Sequence, residues 1–241
     1  MTYLLLEYGA KVTAVSGLFF AVYWLVLRNN GLFAANRMYL LLSTISALLL
    51  PVLQLPFLGA DLAISGKDAT LQPLELNFTN AETEAGITSV GTTVVQENWQ
   101  YLEYGVIAIS ALLVLRVIWS LACTLNQIIR GLPGKQAMAR LTVIKVEGTA
   151  QAFSFFRWIF IPDQAFGNEK LLRTRLAHET CHDRQWHSMD RILLEFATAI
   201  CWWNPFFHLI KHQLVLTHEY LADEASVMEV GQQAYAQILV S

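Results

Sequence analysis

The sequence predicts a mainly α-helical membrane protein, with three transmembrane helices followed by a small cytoplasmic α+β domain. Hydrophobic residues make up 55% of the 241 residues and charged residues only 15%, against roughly 25% charged in an ordinary soluble domain. Three apolar stretches, at about 3–27, 38–57 and 101–125, reach the ~20 residues that a helix needs to cross a bilayer. Beyond Gly131-Leu132-Pro133-Gly134, a turn signal, the pattern changes to short alternating segments and then to helix.

The first stretch carries Glu7 and Lys11 near its outer end. No Lys or Arg precedes it and no small-residue cleavage site follows, so it is expected to stay in the mature chain. The second contains Pro51, an expected kink. The third contains Arg116, expected to snorkel to the inner interface, with pairing to an intramembrane carboxylate as the other option. Arg28 and Arg37 bracket the link between the first two stretches, which the positive-inside rule places in the cytoplasm. The loop that follows is acidic, with Lys67 as its only basic residue, and belongs outside. It also holds a glycosylation-type triplet, Asn77-Phe78-Thr79, of little weight by itself. Arg130, Lys135, Arg140 and Lys145 return the chain to the cytoplasm. The expected organisation is therefore a transmembrane hairpin at 1–58 and an outer loop at 59–100. The third span follows at 101–125 and a cytoplasmic domain at 126–241, expected to continue past Ser241.

A net charge of −3 leaves no basic footprint for nucleic acid. Cys123, Cys181 and Cys201 lack the paired spacing of a disulfide framework and read as reduced thiols.

In the last domain, Thr142 to Val146 and Trp158 to Ile161 read as short strands, with Glu147-Gly148-Thr149 as a turn. A helix is expected from Asn168 through Cys181. The stretch from Ile192 to Ile210 resembles a fourth span, but Asn204-Pro205 breaks it. About 12 apolar residues, or roughly 18 Å of helix, precede the break. It is read as a buried or membrane-grazing helix, followed by a second helix from Pro205 to Val230.

His178-Glu179-Thr180-Cys181-His182 is an HExxH motif. On a helix the two histidines lie one turn apart on one face and can reach a single zinc ion, with Glu179 beside the metal as base for its water. A catalytic zinc takes a third protein ligand, and Glu219 and Asp223, again i and i+4, lie on the predicted 205–230 helix. One can ligate while the other accepts the spare N–H of an imidazole. His187, His208 and His212 are expected to be core or surface residues and Cys181 structural. Glu195 is either a satisfied buried carboxylate or a partner of Arg173, Arg175 or Arg116.

HETCH, then WWNPFF at Trp202 to Phe207, then HEYLADEASV at His218 to Val227, resembles the BlaR/MecR-type antibiotic-response sensor metallopeptidases. Ala152 to Phe156 leading to Ile159-Phe160-Ile161-Pro162 is similar to that family's strand region before the catalytic helix. The resemblance implies a gluzincin-like zinc metallopeptidase domain facing the cytoplasm of a bacterial inner membrane, N-terminus outside. It implies His178, His182 and Glu219 as Zn2+ ligands, Glu179 as base and Asp223 as support to a ligand. The implied partners are the bilayer and a cytoplasmic protein substrate, a transcriptional repressor or the chain itself, with a homodimer left open. The family's later span and sensor are missing from this sequence, as is an SxxK acylation motif. A fragment, or a different sensor, is expected.

An edge strand in the Ala152 to Ile161 region is expected to pair with substrate. CAAX-type or heat-shock membrane metalloproteases share HExxH and ExxxD, but the NPFF segment and span order disfavour them. A site-2-type protease needs an Asp-Gly motif that the chain lacks. A signalling scaffold with a closed structural zinc, using His218 or Cys181, is the remaining rival.

Overall fold

In the computed structural model, residues 4–53, 90–131, 135–138, 141–146 and 152–240 are described. The fold is mostly helical, with a small sheet between the third and fourth helices. Helix α1 (Leu4–Val22) continues through a π-helical turn at Tyr23–Leu27. Helix α2 (Phe33–Leu49) and the long α3 (Val90–Gly131) complete the N-terminal part.

Among the described residues, two helices are long and apolar enough to cross a membrane, Leu5–Leu27 and Tyr101–Arg130. On the second, Leu112, Leu115 and Trp119 are each at least 65% exposed, a large apolar surface that suits lipid better than water. The second expected span differs. Its helix, α2, starts at Phe33 rather than Met38 and ends at Leu49 after 17 residues. Pro51 therefore does not kink this helix but follows its end, as a ring that cannot donate a helical hydrogen bond favours. One face of α2 is packed inside the protein through Asn36, Leu40, Ser43, Thr44 and Ala47. The expected outer loop is also shorter, because residues 90–100 belong to α3. Residues 54–89, with the Asn77 triplet, and the turns expected at 132–134 and 147–149 lie outside the described residues.

Four strands form one sheet in the order β1-β2-β4-β3: β1 (Lys135–Met138), β2 (Leu141–Val146), β3 (Phe153–Phe155) and β4 (Trp158–Pro162). Both expected strands are present as β2 and β4, paired in parallel with Val143 opposite Ile159. β1 and β3 are additional and flank them antiparallel. Ile159 and Ile161 are fully buried and pack with Val143, Ala165 and Leu172.

Helix α4 (Glu169–Arg184) starts where expected, with the Asn168 side chain accepting from the Leu171 N–H at 3.2 Å. After it come α5 (His187–Ile200), α6 (Pro205–Val230) and α7 (Gln232–Val240).

The break between α5 and α6 explains the WWNPFF segment. Asn204 caps α6 through the Phe206 N–H at 3.0 Å, and Pro205 occupies the first turn, where its missing N–H is no loss. Asn204 is fully buried, and its Nδ2 donates to Ser16 Oγ of α1 at 2.9 Å. Phe206 packs so closely on α1 that a Cβ at Gly17 would meet its ring at 2.8 Å. Asn204→Ala removes a cap and a buried helix-to-helix bond together. A loss of about 1–3 kcal/mol in stability is expected from unfolding of the detergent-purified protein.

Glu195 pairs with Lys211 of α6 at 2.6 Å, a partner that sequence reading did not weigh. Arg116 of α3, expected to snorkel, lines a cavity of about 420 Å³ together with both of them.

Candidate metal centre

Two helices build the site. α4 presents His178 and His182 from one face because the residues are four apart. α6 packs against α4, so that Glu219 meets them. One ligand atom from each of His178, His182 and Glu219 lies within 4.8 Å of the others. His178 Nε2 stands 3.4 Å from Glu219 Oε2, and His182 Nε2 stands 4.0 Å from Glu219 Oε1. Glu219 is half-exposed, so the cluster opens toward solvent on its side.

Sequence spacing left Glu219 and Asp223 interchangeable; geometry separates them. Asp223 Oδ1 faces the other nitrogen of His178, Nδ1, at 3.2 Å. The same oxygen accepts a hydrogen bond from the Tyr235 hydroxyl of α7 at 2.7 Å. Asp223 thus orients the His178 ring from Nδ1, and Nε2 is presented to Glu219.

Glu179 is buried, 6% exposed, and hydrogen-bonded by Ser154 of β3. Burial raises its pKa, and Glu219 adds to the rise, while Ser154 and His178 oppose it. Burial alone would lower His178, but the hydrogen bond to Glu219 and the charges of Glu179, Glu219 and Asp223 outweigh it, and its pKa is raised. His182 goes the other way, to about 4, through burial first and then the nearby His178. The hydrogen bond from His178 holds Glu219 below the usual carboxylate range.

No protein-family model matches this sequence, and no curated protein matches it either. Residues and geometry alone bear on what the site holds.

The donor set suits zinc. Two neutral imidazole nitrogens and one carboxylate oxygen form a common catalytic ligand set, bound at about 2.0–2.2 Å. Tetrahedral geometry then puts ligand atoms roughly 3.4 Å apart, the separation already present between His178 and Glu219. His182 Nε2 stands somewhat wider, 4.0 Å from Glu219. The two residues that would close a four-ligand site point elsewhere. Cys181 Sγ donates to the Leu221 carbonyl at 3.4 Å, and His218 Nε2 faces Asp190 at 3.0 Å.

Sequence reading missed Ser154, Tyr235, and a buried polar group behind His182. That group comprises His187, His218, Asp190 and Arg37. His187 is buried and sits 2.7 Å from His182, nitrogen to nitrogen. Burial, then the neighbouring His218 and His182, lowers its pKa to about 2. His208 and His212 lie outside the cluster. Asp223→Ala is expected to weaken zinc binding 10–100-fold, read by competition with a chromophoric chelator. Wild-type affinity in that variant would count against its supporting role.

Proposed function

We propose that the chain is a membrane-anchored zinc metalloendopeptidase of the signal-transducing BlaR/MecR type, with a gluzincin-like ligand set of His178, His182 and Glu219. Its substrate is a cytoplasmic protein, a transcriptional repressor or the chain itself. Leu5–Leu27 and Tyr101–Arg130 are long and apolar enough to cross a membrane; with the shorter α2 as a third crossing and the N-terminus outside, the catalytic domain faces the cytoplasm. The convergence of those three side chains beside a buried Glu179 carries the reading.

A zinc ion held there supplies a water activated for attack at neutral pH and a Lewis acid for the substrate carbonyl. Glu179 accepts the proton of the attacking water as its oxygen bonds to the carbonyl carbon. It delivers that proton to the amine nitrogen as the C–N bond breaks. Ser154 hydrogen-bonds the Glu179 carboxylate from the β3 side, and burial raises its pKa.

β3 is the end strand on the side of α4, β1 ending the other side, whereas β4 lies between β2 and β3. A substrate adding to the sheet beside the site therefore pairs with Phe153–Phe155, not with Trp158–Ile161. The turning away of Cys181 and His218 favours this reading over a scaffold with a closed structural zinc.

The test is cleavage by the detergent-purified protein, of itself or of an unstructured reporter, followed by mass spectrometry. Cleavage is expected to stop on chelation and return with zinc. Cleavage indifferent to chelation would overturn the proposal.

A further inference from the structure

The polar group behind His182 leads out of the metal centre and into the N-terminal helices. Arg37, on α2, is its far end. Its Nε donates to Asp190 Oδ2 at 2.6 Å, its Nη2 donates to the Gln185 carbonyl, and its Nη1 reaches Gln185 Oε1 at 3.5 Å. α2 thus meets both α5 and the turn that ends α4, three residues past His182.

Two branches run from Arg37 back to the metal ligand. In the first, proton positions follow from one fixed end. A guanidinium only donates, so the Gln185 amide must turn its oxygen toward Arg37. His187 Nε2 lies 3.2 Å from that same oxygen and is therefore its donor. A neutral imidazole has one N–H, which leaves His187 Nδ1 an acceptor. His182 Nδ1, 2.7 Å away, must then carry the proton and donate it. The Nε2 lone pair of His182 is left facing Glu219, as a metal ligand requires. In the second branch, Asp190 Oδ2 also accepts from His218 Nε2 at 3.0 Å. The His218 ring stacks on that of His187, with centroids 3.9 Å apart and planes 13° from parallel. His187 and His218 are each 1% exposed, so neither ring is free to reorient in water.

We propose that Arg37 is a positioning residue for the metal centre: through Gln185 and Asp190 it sets the tautomer and orientation of His182, so that the docking of α2 controls how well the site holds metal. The inference rests on the metal reading of the preceding section and adds a regulatory handle to it. A displacement of α2 that withdraws Arg37 frees Gln185 to flip and His182 to take the wrong tautomer. No movement of α4 or α6 is needed.

The experiment uses the full chain in detergent, with Zn2+ affinity from chelator competition and the visible absorption of the Co2+-substituted protein as readouts. Wild type is compared with Arg37→Lys, Arg37→Gln and Leu40→Ala, the last a fully buried α2 residue remote from the network in role. Lysine keeps the charge but lacks the planar fork that serves Asp190 and Gln185 together. Both Arg37 variants are expected to bind Zn2+ about tenfold or more weakly, with altered Co2+ bands. Leu40→Ala is expected to lower the melting temperature while keeping wild-type affinity and bands. Wild-type affinity and an unchanged Co2+ spectrum in Arg37→Lys would overturn the proposal, as would an equal loss in Leu40→Ala. If Arg37→Gln does not fold, Arg37→Lys decides. A wild-type chain that binds neither metal overturns the metal reading, and this proposal with it.

Discussion

Glu179→Gln is expected to keep its zinc and lose its cleavage. The substitution preserves the shape of a side chain that is buried against Ser154 of β3, so packing around α4 changes little. It removes the one property the mechanism uses, a carboxylate that can take up and return a proton. General base catalysis contributes roughly 10²–10⁴-fold, and cleavage of a reporter should fall by at least that much. Zinc content should be unaltered because Glu179 is not among the clustered ligand atoms. Cleavage retained at wild-type rate in Glu179→Gln would assign the proton transfer to another group. Loss of zinc together with cleavage would make Glu179 a ligand instead.

Glu219→Ala is expected to empty the site. Glu219 is the only one of the three clustered residues that comes from α6, so its removal leaves two imidazoles on α4. The remaining pair is a weak chelate, and the loss should exceed the 10–100-fold typical of partners one step removed from the metal. Folding should survive, because Glu219 is half-exposed and its hydrogen bond is to His178 at the cluster's open side. Zinc near one per chain in Glu219→Ala would mean that Asp223, or a residue outside the cluster, is the true third ligand.

The parts of the site that follow from spacing along one helix were legible in the sequence. His178 and His182 are a helical turn apart whatever the tertiary structure, and Asn168, Asn204 and Pro205 mark helix starts by local chemistry. What depended on packing was not. Arg37 reads in the sequence as a topology charge beside the first hairpin, and only the approach of α2 to α5 turns it toward Asp190. Glu195 finds Lys211 one helix further on, beyond any local periodicity. β1, with the sequence KQAM, has no β-branched residue to announce it, and β3 is too short at three residues to show alternation. The shortness of α2 was legible in principle, since Pro51 follows its end by two residues. The apolar run on both sides of that proline masked it.

The most direct measurement of the central claim is the metal content of the purified wild-type chain beside Glu219→Ala and Glu179→Gln. Zinc near one per chain in wild type and Glu179→Gln, and near zero in Glu219→Ala, is the predicted result. No zinc in the wild-type protein, even after incubation with the metal, would contradict it.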